Sequence, residues 1–328
     1  MTLPQKKLLA TVVIVEVSVL CLVLWSLYPQ VSWWVRKIRH GETHRAVIRK
    51  ETLRTPEHSV FQYYSLLTPD TQVSEQPEWL PEPAVSTYNA DGLNDRYNYE
   101  VARQENTLRI IALGDSFTYG HYVNTAESWP EVLEVQMNNT AERCRDVKRV
   151  EVLNLGVHGF DIPYLTQRYR DVGSKYQPDL ILWFESGTGF TRLSELEAVE
   201  TALCEEQLRL EGVEDLSRCW ETNKDAVQAK YSKQQLDEYI GRYLTHFLQD
   251  TESQGVPVFF YAFTHLPEQD LHTLEQWVSP YSNTQVIATV PSIYERQGDL
   301  PDGHPNTAGH RLIAESIYHN LLESYCRQ

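Results

Sequence analysis

The sequence predicts an α/β fold: a three-layer α/β/α domain on a parallel five-stranded sheet, preceded by an N-terminal transmembrane helix. Three observations predict it. Short apolar runs recur between amphipathic stretches, one such run stops abruptly at Gly114-Asp115-Ser116, and a predominantly apolar segment covers residues 8–28. Strands that alternate with helices favour a parallel sheet covered on both faces.

The strands are read at Leu108–Leu113, Val150–Leu155, Leu180–Phe184, Val256–Phe263 and Gln285–Val290. Their near-continuous apolar character suits strands buried on both sides. A helix is expected around residues 128–135. The clearest helix carries Leu236, Tyr239, Ile240, Tyr243, Leu244, Phe247 and Leu248 at 3–4 spacing, the stripe that packs one helix face on a core. Gly255 stands where a C-terminal cap would end it. The last helix shows Leu312, Ile313, Ile317 and Leu321 on one stripe.

The run Leu8 to Tyr28 has the length of a bilayer crossing. Lys6 and Lys7 precede it, and Trp33 and Trp34 follow as an interfacial belt. Glu16 inside the run is costly there unless paired or protonated. The run is long for a signal peptide, and no small-x-small cleavage site follows it cleanly. Residues 1–35 therefore read as a retained single-pass anchor and 36–104 as a juxtamembrane region. That region holds a basic helix over 36–54, an extended Pro/Glu/Ser-rich linker from Thr68 to Pro83, and a turn-rich segment at Asn89–Arg96. Residues 105–328 form the main domain.

The formal net charge is −16; residues 1–56 carry nine Lys/Arg against three Asp/Glu, a net of +6, which leaves −22 on the remainder. So acidic a body argues against nucleic-acid binding, which needs clustered cations. Cys21 lies in the apolar run, and Cys144, Cys204, Cys219 and Cys326 lie in the body. Four cysteines allow two disulfides, with the pairing open, and disulfides persist in an oxidising compartment. A cell-membrane protein with its body outside the cytoplasm is therefore expected. Cys204 and Cys219 bracket a polar part of an acidic insertion, residues 192–231, which reads as a stapled helical hairpin suited to a lid or a protein partner. Asn138-Asn139-Thr140 fits a glycosylation triplet.

The chemistry starts at Ser116. A buried strand feeding a Gly-flanked turn and a helix presents a side chain at the carboxyl edge of a sheet. A serine there is a candidate nucleophile, since backbone N–H groups point the same way. A Gly-Asp-Ser triplet alone is most often only a turn. Pro301-Asp302-Gly303-His304, ahead of the last helix, adds what a serine needs: a base, His304, and a carboxylate to orient it, Asp302.

With these residues in view, the chain resembles the SGNH (GDSL-type) serine hydrolases over about residues 105–325. The resemblance implies a flavodoxin-like sheet with Ser116 as nucleophile, His304 as base and Asp302 as orienter. It implies that Gly159, in Asn154-Leu-Gly-Val-His-Gly159, shares an oxyanion site with the Ser116 N–H. The Asn/Gly/Arg segment at 89–96 is similar to one that precedes the nucleophile in bacterial members. Two features depart from the family pattern. Its third block is usually Gly-x-Asn, whereas Glu185-Ser-Gly-Thr-Gly189 has no asparagine. Gly187 and Gly189 are expected to offer backbone N–H groups instead, with Asp115 bordering the pocket. Asp302 and His304 are two apart rather than three, a spacing similar to the branch that holds polysaccharide O-acetyltransferases.

His158 is expected to border the pocket and His310 to pack or cap. Asp302, His304 and His310, with His265 and His272, lack the spacing of a known metal site. No Gly-x-Gly-x-x-Gly or P-loop follows the first strand, so no metal and no cofactor are expected. The expected activity is an esterase acting on O-acetyl groups of a small-molecule or polysaccharide ester of the cell envelope. An O-acetyltransferase with the same triad is the alternative. A third reading is a degenerate domain acting as a membrane-tethered binding module.

Overall fold

An antiparallel ribbon, β1 (Gln72–Glu75) and β2 (Ala84–Thr87), precedes a parallel sheet of five strands. These are β3 (Thr107–Gly114), β4 (Arg149–Asn154), β5 (Leu180–Glu185), β6 (Val258–Phe263) and β7 (Thr284–Val290), in the order β4-β3-β5-β6-β7. The computed structural model describes residues 61, 64 and 66–326, apart from 140–143, 145, 146, 214 and 217. The predicted span at 8–28 and the basic helix at 36–54 lie outside the described residues, as does Thr140 of the glycosylation triplet. Among the described residues, no helix is long and apolar enough to cross a membrane.

The five predicted strands stand within two residues of their expected ends. Ile110, Ile111, Ala112 and Leu113 of β3 are all fully buried. Alternate side chains of a strand point to opposite faces, and both faces are covered. On one, Ile110 and Ala112 join a core with α2 (Trp129–Asn138) and α8 (Thr307–Ser324), through Trp129, Leu133, Ile313 and Ile317. On the other, Trp183 of β5 packs edge-on against Phe247 of α6 (Lys233–Ser253) with ring centroids 5.5 Å apart. Fully burying each such side chain contributes about 1.5–3 kcal/mol. Gly255 closes α6 as expected, at φ +70 with its N–H on Glu252 O.

The juxtamembrane reading needs correction. Part of the expected linker is strand, because Gln72 to Glu75 pair residue by residue with Thr87 to Ala84. Residues 84–101 are integral to the domain. Asn94 donates to Tyr119 O at 2.8 Å, and the Asp95 carboxylate accepts the Asn154 N–H. Arg96 pairs with buried Glu131 at 2.5 Å. The buried Arg109 guanidinium holds the carbonyls of Glu100 and Val101 and pairs with Glu151 at 2.8 Å. Polar residues made the stretch read as solvated, yet they bond to backbone and side-chain groups of the domain.

The acidic insertion forms α4 (Ser194–Leu210) and α5 (Arg218–Lys230), joined by a Cys204–Cys219 disulfide. A second disulfide joins Cys144 to Cys326 across 182 residues.

Candidate active site

The loops after β3, β4 and β5 emerge side by side because those strands are neighbours. This edge, where strand order reverses, is where open parallel sheets place ligands. Gly114 ends β3 where a Cβ would lie 2.1 Å from Thr118 Oγ1 and 2.8 Å from Phe184 O. Only glycine lets the chain turn that close to β5. Asp115 then caps the short helix α1 (Ser116–Tyr119): its Oδ1 accepts the Phe117 N–H at 2.9 Å. The turn delivers Ser116 to the helix start.

At the other end of the chain, Asp299 and Pro305 form an antiparallel bridge around a tight loop. Leu300 donates to His304 O at 2.7 Å, and Gly303 turns the chain at φ +90. Asn306 seals the exit, capping α8 through the N–H groups of Ala308 and Gly309. The loop brings Asp302 against His304 and His304 against Ser116. His304 Nδ1 lies 2.8 Å from Asp302 Oδ2, and His304 Nε2 lies 2.9 Å from Ser116 Oγ. A carboxylate only accepts, so this partner assigns the proton to Nδ1 and leaves Nε2 free to receive the serine proton. Ser116 is 5% exposed, and the His304 and Asp302 side chains 18% and 28%.

The imidazole is walled by rings. Phe117 stands 5.5 Å away, His121 meets it edge-on at 4.9 Å, and Tyr122 lies at 5.9 Å. His158 stacks on His121 at 4.1 Å. Burial, then the nearby His158 and His304, holds the His121 pKa down at about 3. His121 is therefore neutral at ordinary pH. The pKa of His158 is lowered too, by desolvation where its ring covers His121 and then by the charges of His304 and Arg192. The sequence suggests His158 for the pocket edge, and its ring stacks on His121; the sequence does not single out His121, Tyr122 or Glu75. His121 follows Ser116 by five residues, a usable signal. Glu75, whose carboxylate lies 3.6 Å from His121 Nδ1, arrives from β1 with no sequence signal at all.

The loop after β5 departs from expectation. The N–H groups of Gly187 and Gly189 both donate to Glu185 Oε1, at 2.9 and 3.0 Å. They are committed to that carboxylate and do not face a substrate oxygen, which corrects their predicted part in the oxyanion site. Asp115, expected to border the pocket, acts as an anchor: its Oδ2 accepts the hydroxyls of Ser186 and Thr188 at 2.5 and 2.6 Å. Burial, and then the Asp115 charge, pushes the Glu185 pKa up to about 7. Among the described residues, the N–H groups of Ser116 and Gly159 have no protein acceptor.

His310 is buried with Nδ1 accepting the Trp129 N–H at 3.2 Å, so it packs, as its helical position suggested. His265 lies against Phe263, and His272 against Gln276 on α7 (Glu268–Val278). Neither approaches a metal set; among the described residues no three His, Cys, Asp or Glu are grouped to hold an ion.

No family model and no curated protein matched the chain. Solved structures did. The psychrotrophic esterase EstA from Pseudoalteromonas sp. is 13% identical at a TM-score of 0.42, covering 66% of this chain and 97% of its own. A lipolytic protein of the G-D-S-L family from Desulfitobacterium hafniense DCB-2 is 18% identical at 0.35, covering 64% and 98%. A catalytic mutant of Axe2, an acetylxylan esterase from Geobacillus stearothermophilus, is 13% identical at 0.41, covering 70% and 99%.

Proposed function

We propose that the protein cleaves acyl esters, O-acetyl groups on cell-envelope carbohydrate or lipid foremost, through a serine acyl-enzyme. The observation that carries this reading is the chain of contacts Ser116 Oγ, His304 Nε2, His304 Nδ1 and Asp302 Oδ2, at 2.9 and 2.8 Å. As Oγ attacks the ester carbon, its proton passes to Nε2, and Asp302 stabilises the imidazolium. The carbonyl electrons move onto oxygen, which the Ser116 and Gly159 N–H groups receive. Collapse expels the alcohol, which takes the proton from Nε2. Water, deprotonated by Nε2, then releases the acid and restores the serine.

If a sugar hydroxyl replaces that water, the same acyl-enzyme performs O-acetyl transfer. The two-residue spacing of Asp302 and His304 favours this second reading. The two disulfides support a body in an oxidising compartment, held at the membrane by residues 8–28.

The test compares the full chain with Ser116→Ala on p-nitrophenyl acetate and on an acetylated polysaccharide. Turnover present in the wild type and absent in the variant supports the serine mechanism. Acetate appearing on an added glycan, in place of free acetate, selects transfer. Failure of a fluorophosphonate to label Ser116 overturns both readings and leaves the non-enzymatic binding module.

A further inference from the structure

Resting on that serine reading, we propose that Arg192 is the side-chain donor of the oxyanion site, in the place where a third-block asparagine is missing. The loop after β5 spends its donors inward. Ser186 and Thr188 give their hydroxyls to Asp115, and Gly187 and Gly189 give their N–H groups to Glu185. The next turn of the same segment is directed elsewhere. Thr191 and Arg192 donate their N–H groups to Thr188 O at 3.1 and 2.9 Å, which folds the chain back. The start of α4 is then fastened to the Gly159 turn by three bonds. Ser194 Oγ donates to Gly159 O at 2.9 Å, Ser194 N–H to Asp161 Oδ2 at 2.6 Å, and Tyr164 OH to Glu195 Oε2 at 2.6 Å.

This clamp sets the guanidinium over Gly159. Arg192 Nη1 lies 3.6 Å from the point a Cβ on Gly159 would occupy. Among the described residues, no hydrogen bond or close ion pair engages the guanidinium, although its charge is felt by the Glu197 carboxylate; the Gly159 N–H donates to no backbone carbonyl. The charge of Arg192 also reaches His158, two rings from the catalytic imidazole. A guanidinium stays protonated at all working pH and carries five N–H donors. Beside an open backbone N–H in a partly enclosed site, it favours the negative charge that develops on the carbonyl oxygen. Arg192 gives up no proton in this role. The serine proton still travels from Oγ to Nε2 and on to the leaving alcohol.

The test uses the full chain and p-nitrophenyl acetate, which carries no anionic group. Arg192→Ala is expected to lower kcat by about 10²–10³-fold, the usual effect of losing one oxyanion donor, with KM nearly unchanged. Fluorophosphonate labelling of Ser116 should slow in parallel yet still run to completion, which shows an intact site. Arg192→Lys should recover part of the rate, and added methylguanidinium should partly rescue Arg192→Ala but not Ser116→Ala. An Arg192→Ala enzyme with wild-type kcat and labelling rate on this neutral ester overturns the role. So does an effect confined to KM, or to substrates bearing a carboxylate, which would make Arg192 an anchor for an acidic sugar. If wild-type Ser116 is neither labelled nor active, the serine reading fails and Arg192's role falls with it.

Discussion

Thr188 donates its hydroxyl to Asp115 Oδ2 at 2.6 Å, and so fastens the loop after β5 to the turn that carries Ser116. Ser186 makes the second tie to the same oxygen. Hydrogen bonds to a charged acceptor contribute about 1.5–3 kcal/mol each. Replacing both residues, as Ser186→Ala with Thr188→Val, should loosen the turn. We expect the melting temperature to fall and kcat to drop by at least tenfold, with a larger combined loss than either single change. Unchanged turnover in the double variant would show that Asp115 holds the turn through its Phe117 cap alone.

Asp302 contacts His304 twice, through the imidazole and through the His304 N–H at 3.2 Å. Asp302→Asn preserves the shape and removes the charge that stabilises the imidazolium. It also offers an amide N–H that favours the wrong tautomer. A fall in kcat of about 10²–10⁴-fold is expected, with Ser116 still accessible to slow labelling. Steady-state kinetics on p-nitrophenyl acetate read this directly.

Glu185 is buried, and its pKa rises from 4.5 to about 7. The folded protein thus holds a proton there that the unfolded chain releases above about 4.5. Stability from this group is full below 4.5 and is lost as pH rises towards 7, on the order of 3 kcal/mol across that window. Glu185→Gln keeps an acceptor for Gly187 and Gly189 but cannot ionise. Glu134 and Asp161, also pushed up to about 7 by burial, still titrate in the variant. The drop in melting temperature between pH 5 and pH 8 should therefore be smaller in Glu185→Gln than in the wild type, and parallel curves would refute the assignment.

The two disulfides make distinct predictions. Cys144–Cys326 closes a loop of 182 residues and ties the end of α8 to the segment before β4. Replacing both cysteines with serine should cost about 2–5 kcal/mol of global stability. Cys204–Cys219 spans only 15 residues within the α4–α5 hairpin. Its loss should raise hydrogen exchange in that hairpin while the sheet stays protected. Non-reducing peptide mapping should recover these two pairs and no others.

The five strands were legible in the sequence, because short apolar runs alternating with amphipathic stretches favour strands buried on both faces. The sequence also singles out Ser116, Asp302 and His304 as candidates, and the structure brings the three within hydrogen-bond reach of one another. Tertiary structure decided the rest. Spacing along the chain does not say which N–H groups stay open, and at Gly187 and Gly189 a buried glutamate claims them. Nor does composition reveal that polar residues such as Asn94, Asp95 and Arg96 bond to one another's surroundings inside the fold rather than to water. His121, Glu75 and Arg192 come to the site from a helix end, a ribbon strand and the start of an insertion. Their meeting is set by packing between distant segments, which no local periodicity records.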